Sequence, residues 1–286
     1  KLGGVREPVH FATHRAPKPI PPGADMPRGE QARTCTGCHQ PWRAASDQIR
    51  VYREFAEDET NTETTTFLQM YLGSASLSGR SIHWHANPST RVEYLATDPA
   101  AETIVAVRVT DAKGQVKEWV AEDAKPETIN GGTWQRMDCV DCHNTVGHPI
   151  TPTPELAVDR AITANQIERQ LPFARREAVR LVKAGYSSVE DGMSAIEREL
   201  RTFYGSRGSI DQQALARTVA GVQNVYRNNV FPTMKVTSGS YPDNRGHNTS
   251  YGCFRCHDDT HAAKDGTKIN GDCEYCHKEI APPEGS

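Results

Sequence analysis

Cysteine and histidine carry the chemistry of this sequence, and their spacing is regular. All eight cysteines fall into four Cys-x-x-Cys-His pentapeptides: Cys35 and Cys38 before His39, Cys139 and Cys142 before His143, Cys253 and Cys256 before His257, Cys273 and Cys276 before His277. This pentapeptide is the attachment signature of a c-type haem. Each sulfur forms a thioether with one vinyl group, and the adjacent His binds the iron. Two other readings share the Cys-x-x-Cys spacing. The last two pairs, separated by residues 257–272, have the spacing of a zinc ribbon. A thioredoxin-like redox pair would need a βαβ setting, which the pattern lacks. Neither reading asks for a His after every pair. With only 11 histidines in 286 residues, that regularity decides for four covalent haem c groups and for His39, His143, His257 and His277 as proximal ligands.

The second axial position of each iron decides what the haem can do. A His or Met there closes the iron to small molecules and leaves electron transfer; an open position can bind a ligand. Seven histidines remain for four places: His10, His14, His83, His85, His148, His247 and His261. This surplus favours saturated irons. His148 and His261 follow their nearest motif too closely to wrap around that motif's own haem, so each is expected to reach a neighbouring one, which implies stacked haem pairs. His247 precedes Cys253 by a short loop and is a further candidate. His83 and His85 flank Trp84; in an extended chain both point the same way, one as a ligand and the other as a second ligand or a propionate partner. Among the methionines, Met70 comes first as an alternative ligand and Met26 next, although the ordinary role of Met70 is core packing.

The elements that must position these residues are read from periodicity. Residues 1–34 are proline-rich and extended, an arm or linker carrying His10 and His14. Residues 44–58 read as a helix with Ile49, Tyr52 and Phe55 on one side, and Glu57-Asp58-Glu59 as its solvated end; a short helix follows over 62–72. From about 90 to 121 the period changes to two, with Asp111-Ala112-Lys113-Gly114 as a turn, giving one small antiparallel sheet. Residues 152–231 are cysteine-free and helical: a helix over 172–184, a second opened by Ser187-x-x-Glu190 with Met193, Ile196, Leu200 and Phe203 on one face, and a third opened by Ser209-x-x-Gln212 with Leu215, Val219, Val222 and Tyr226. These helices read as a scaffold packing over the haems.

Composition agrees with a cofactor-filled interior. Only 36% of residues are hydrophobic and 7% aromatic, while Gly and Pro are frequent; large apolar haem plates replace part of the missing core. The net charge of -3 shows no basic patch, which argues against nucleic acid as a partner. Thioether attachment takes place outside the cytoplasmic membrane, so the chain is expected to be periplasmic or on the outer face of that membrane, with an extracellular place as the alternative. Lys1-Leu2-Gly3-Gly4 has no apolar leader, and no run of about 18 apolar residues is present. A cleaved signal, or an anchor outside this stretch, is therefore expected.

Between the motifs lie strings that are more specific than the motifs themselves: Ile82-His83-Trp84-His85, Arg91-Val92-Glu93-Tyr94, Met137-Asp138-Cys139 through Asn144 with Gly147-His148-Pro149, Leu171-Pro172-Phe173, Val230-Phe231-Pro232 with Met234-Lys235-Val236-Thr237, and Cys253 through Asp259. Over most of residues 30–280 the sequence resembles the periplasmic part of NapC/NirT-type inner-membrane multihaem cytochromes, especially those tied to quinol oxidation and extracellular electron transfer. The resemblance implies low-spin, mostly bis-histidine haems that pass electrons from a membrane quinol pool, with His83 or His85, His148, His247 and His261 as ligands. Such proteins carry membrane helices and this sequence shows none, so no quinol site is assigned. A membrane-bound respiratory complex or an anchor subunit is the expected redox partner.

The expected architecture is a multihaem cytochrome c fold, mainly helical and irregular with one small antiparallel sheet, its core built around four covalent haems. The expected divisions are a 1–34 arm, a 35–135 one-haem module with the sheet, and a 136–286 three-haem module with the 152–231 helical insert. The leading function is electron relay. Two alternatives are a multihaem reductase of a nitrogen or sulfur oxyanion with one five-coordinate haem, and a filament subunit whose His10 or His14 ligates a neighbour's haem.

Overall fold

Residues 48–55 place Ile49, Val51 and Phe55 on alternate positions and form strand β1 (Gln48–Phe55). Residues 63–70, with three successive threonines, form β2 (Glu63–Met70). The helical readings of 44–58 and 62–72 are therefore corrected to strands. Ile49, Tyr52 and Phe55 fit a helical stripe, but Ile49, Val51 and Phe55 fit period two equally well. A short apolar run does not separate the two, and the β-branched residues favour the strand. Glu57-Asp58-Glu59 is the beginning of the connection between these strands and not a helix end. Asn61 takes a left-handed φ of 50°, and the Asp58 carboxylate accepts the Thr62 amide at 2.9 Å; both residue types favour turns for these reasons.

The structure, a computed structural model, describes residues 9, 12–13, 18–19, 34–40, 46–72, 81–145 and 150–282. His10, His14, Met26 and His148 lie outside the described residues, as does most of the proline-rich arm. The chain divides into two units, neither continuous in sequence: Lys1–Asp25 with Tyr52–Thr66 and Gly147–Pro242, and Met26–Val51 with Phe67–Val146 and Asp243–Ser286. These units do not coincide with the expected modules 35–135 and 136–286. The helical insert belongs to the first unit, and all four Cys-x-x-Cys-His motifs belong to the second.

The first unit is helical. Its helices are Pro154–Thr163, Ala174–Lys183, Val189–Gly205 and Gln212–Asn229; the last three lie where the apolar periodicity indicates, and the first is an addition within the helical region. The side chains of Thr153, Ser188 and Asp211 cap three of them by accepting the amides of Leu156, Asp191 and Gln213, which satisfies donors left open in a first turn. Two caps thus fall on Ser188 and Asp211 instead of Ser187 and Ser209. Ser187 donates its hydroxyl to Asp191 at 3.0 Å, in the same helical turn. Ile196, Leu200, Val219, Val222 and Tyr226 fill the core. Gly221 lets the last helix approach closely: a Cβ there would lie 2.1 Å from the Gln166 carbonyl oxygen. Asn61 is fully buried in this unit. Its amide donates to the carbonyls of Arg169 and Leu171 at 2.8 and 2.9 Å, and its oxygen accepts the Arg175 amide at 2.9 Å.

The second unit holds the expected meander. Strands β3 (Arg91–Ala96), β4 (Ile104–Thr110) and β5 (Val116–Ala121) pair antiparallel in order. The sheet is longer than the sequence indicates, because β6 (Gln135–Arg136) and β7 (His261–Ala263) extend it to the order β6-β3-β4-β5-β7. There is also a second sheet, ordered β1-β2-β8 with β8 (His277–Ile280), so the single-sheet expectation is corrected to two. Strands of two to four residues carry no readable period. Val92, Tyr94, Ile104 and Val107 form an apolar cluster that includes Cys256, so a motif cysteine is part of the sheet's own core.

Candidate functional site

Each motif folds as one tight turn. The amides of His39, His143 and His257 donate to the carbonyls of Cys35, Cys139 and Cys253 at 2.7, 2.8 and 3.0 Å. In the fourth, the Cys276 amide donates to Cys273 across the 3-10 turn Cys273–Tyr275. Residues three apart in such a turn share one side, so each pair of sulfurs faces the same way and the His follows directly. The second motif is the best fixed. Asp138 and Asp141 form a reciprocal capping box on helix Cys139–Cys142, and the Tyr94 hydroxyl, buried on β3, donates to Asp141 Oδ1 at 2.8 Å.

Histidines from outside the motifs meet histidines from within them. The ring centres of His83 and His143 are 6.5 Å apart, those of His85 and His257 5.9 Å, and those of His247 and His277 6.0 Å. Two imidazoles on one metal ion need about 2 Å from metal to nitrogen plus about 1.1 Å from nitrogen to ring centre on each side, or roughly 6.2 Å in all. All three separations fit that requirement. The rings are nearly parallel in the first and third pairs, at 13° and 22°, and nearly perpendicular in the second, at 84°.

The hydrogen bonds leave the nitrogen that a metal needs. His83, His85 and His257 donate Nδ1–H to the carbonyls of Leu72, Ile82 and Asn270 at 3.2, 2.8 and 2.7 Å. A carbonyl only accepts, so Nδ1 carries the proton and the Nε2 lone pair is free, which is how outer partners orient metal-binding histidines. Burial first, and then neighbouring histidines, hold His85, His143 and His277 below the ordinary histidine range; the neutral ring is the form that ligates. The chemistry of this donor set fits covalent haem: paired thiols, then an imidazole, then a second imidazole opposite.

The cysteines also lie close to one another. Burial, then the Asp138 carboxylate and Cys35, push Cys139 up to about 11. Burial and then Cys253 push Cys142 up to about 12. Burial and then Cys253 push Cys276 up to about 11. These neighbours link first motif to second, second to third, and third to fourth. Among the described residues, no three His, Cys, Asp or Glu side chains gather as ligands of one metal ion.

His261 is placed differently from the expectation. It is 1% exposed on β7. Its Nδ1 is bonded to Asp258 Oδ1 at 2.9 Å and its Nε2 to the Ile104 carbonyl at 3.1 Å, so both ring nitrogens are engaged within the sheet. This placement makes His261 a tie between β7 and β4 and not a free ligand nitrogen. Met70, expected on a helix near the first motif, lies on β2 in register with His277. His39 is exposed, and among the described residues no ring contact joins it to a second histidine.

Four residues of this site were given no role in the sequence reading, although the first, second and fourth lie in strings it quotes: Tyr94, Asp141, Asn244 and Arg255. For Asp141 a signal existed, since Asp138-x-x-Asp141 has the spacing of a capping box. The others act through backbone carbonyls or a distant strand and leave no local pattern.

Comparison with known proteins finds a c-type cytochrome. The chain is 34% identical over 299 aligned residues to the cytochrome c-type protein ImcH of Geobacter sulfurreducens, the alignment covering the whole chain and 58% of that relative's length. No family model matches the chain, and no solved structure matches it.

Proposed function

We propose that the chain, which is similar to the cytochrome c-type protein ImcH and resembles the NapC/NirT-type multihaem c-type cytochromes, is a tetrahaem electron relay. Its four covalent haem c groups are held at Cys35/Cys38, Cys139/Cys142, Cys253/Cys256 and Cys273/Cys276. The observation that carries the reading is the set of three histidine pairs, each joining a motif histidine to one from elsewhere at 5.9 to 6.5 Å. On this reading the second ligands are His83 for the haem of His143, His85 for that of His257 and His247 for that of His277. For the haem of His39 the candidate second ligands are His148, His10 and His14.

Bound haem iron supplies a one-electron couple, and six-coordinate iron has no open position for a substrate. The protein does the rest. Carbonyls of Leu72, Ile82 and Asn270 fix ring tautomers, burial disfavours the charged form of His85, His143 and His277, and the sheet fastens the second motif. The neighbouring cysteines favour an electron path in chain order, from the first motif to the fourth or the reverse. A membrane-bound, quinol-oxidising respiratory complex or an anchor subunit is the proposed donor and a further redox protein the acceptor, on the periplasmic side of the membrane. Among the described residues no helix is long and apolar enough to cross a membrane.

The test is spectroscopy of the haem-loaded protein with His83→Ala, His85→Ala and His247→Ala. The wild type shows low-spin haem throughout. Each variant turns one haem of four high-spin, and His261→Ala turns none. A wild type with one high-spin haem that binds cyanide or nitrite would favour the reductase reading, and three silent variants would sink the pairing.

A further inference from the structure

Arg255 lies inside the third motif, between Cys253 and Cys256, and its guanidinium is bonded in three directions. Nε–H donates to the Gly252 carbonyl, Nη1–H to Ala101 and Nη2–H to Asp141, each at 2.8 Å. These acceptors belong to three different segments. Gly252 begins the turn of the third motif. Ala101 sits in the β3–β4 connection, where its left-handed φ of 53° marks a carbonyl turned out of the usual strand direction. Asp141 lies within the second motif and is itself tied to Tyr94. A second bond ties the same two stretches of chain, because Asn244 also donates to the Asp141 carbonyl, at 3.3 Å.

The histidines join the same two motifs from the other side. His83 and His85 stand on one 3-10 turn, Ile82–Ala86, yet His83 meets His143 of the second motif and His85 meets His257 of the third. The second and third haem sites therefore share a ligand-bearing turn and a guanidinium tie. A planar guanidinium with a fixed fork of donors holds three carbonyls in a set geometry, which the single ammonium point of lysine does not reproduce. Its charge is permanent, and the guanidinium stands within hydrogen-bond reach of the backbone at both motifs.

We propose that Arg255 is the positioning residue of the junction between the second and third haems: it locks the two attachment motifs together and places one permanent positive charge beside both. The proposal rests on the histidine pairing argued above. It adds that these two haems behave as a coupled unit whose reduction equilibria both depend on a cation neither haem ligates. A fixed positive charge favours the iron form with one more electron, so its removal makes both haems harder to reduce.

The experiment compares Arg255→Gln and Arg255→Lys with the wild type, all haem-loaded, by potentiometric titration and low-temperature EPR. The third haem is distinguished from the second and fourth, because perpendicular axial rings give a more anisotropic low-spin signal than parallel ones, and among the three described pairs His85–His257 is the perpendicular one. Arg255→Gln is expected to lower two of the four reduction steps, each on the order of tenfold in equilibrium constant, or about 59 mV for a one-electron couple, with the other two steps unmoved. Arg255→Lys keeps the charge and is expected to keep all four potentials while altering the anisotropic signal, since two of three carbonyl ties are lost. If Arg255→Gln does not accumulate with four haems, Arg255→Lys is read alone, and an unchanged anisotropic signal overturns the lock. Unmoved potentials in Arg255→Gln, or an equal shift of all four, overturn the placed charge. Failure of the pairing shows separately, as high-spin haem or no anisotropic signal in the wild type.

Discussion

Tyr94→Phe isolates one bond on which the second motif depends. The Tyr94 ring is fully buried on β3, and phenylalanine fills the same volume, so packing changes little. What is removed is the hydroxyl that donates to Asp141 Oδ1 at 2.8 Å. A hydrogen bond to a charged group contributes about 1.5–3 kcal/mol. Asp141 is 8% exposed, so water makes a poor substitute, and a loss of about 2 kcal/mol is the working figure. For a unit of this size each kcal/mol moves the melting temperature by roughly 2–4 °C, giving a fall of about 4–8 °C. The assay is thermal melting of the haem-loaded protein, followed by circular dichroism and by Soret absorbance. Because Asp141 also accepts the Asp138 amide at 2.6 Å, the capping box survives in part, and the protein is expected to keep all four haems. A Tyr94→Phe protein melting within about 1 °C of wild type would refute the argument that the sheet fastens the second motif through this carboxylate.

Three further outcomes follow from the first unit and the hairpin. Asn61→Ala removes three buried hydrogen bonds and leaves two carbonyls and an amide without their partner, so a loss of about 3–5 kcal/mol is expected in denaturant unfolding, far beyond an exposed Asn→Ala. Gly221→Ala drives a methyl into the Gln166 carbonyl, 2.1 Å from the ideal Cβ, and is expected to cost about 1–3 kcal/mol through backbone displacement, although alanine favours helix. The hydroxyl of Thr62, then its amide, hold the Asp58 carboxyl below its ordinary value of 3.8. A depressed carboxylate contributes stability above its unfolded pKa and loses it as pH falls through the folded one, so the hairpin loosens only below about pH 4; an Asp58 carboxyl that titrates at or above 3.8 by NMR would contradict this.

The sequence made the metal chemistry legible and much of the scaffold with it. Cys-x-x-Cys-His is local, so the four motifs were visible, and His83, His85 and His247 were identifiable as spare imidazoles. Which iron each one serves depends on chain crossings that no spacing encodes; the structure pairs His83 and His85, two residues apart, with motifs far apart in sequence. The helices of 152–231 were legible because they are long enough to repeat their period, whereas β1 and β2 were misread because eight residues fit both periods. His261 was misread for a different reason: nearness to a motif suggested a ligand, but β7 turns the ring into the sheet between Asp258 and Ile104. Arg255 was invisible because its partners are carbonyls, which every residue possesses.

The direction of the three histidine pairs has a consequence for how the protein is assembled. In every pair the histidine from outside the motif comes first in the chain: His83 before the second motif, His85 before the third, His247 before the fourth. A chain delivered amino end first therefore presents each of these imidazoles before the motif whose histidine it meets. Joining the ends of a longer loop costs more chain entropy, about 0.6 kcal/mol for each doubling. The His247–His277 clasp closes the shortest loop and His85–His257 the longest. The turn Ile82–Ala86 thus meets the second motif with one of its two histidines while the other still waits for the third.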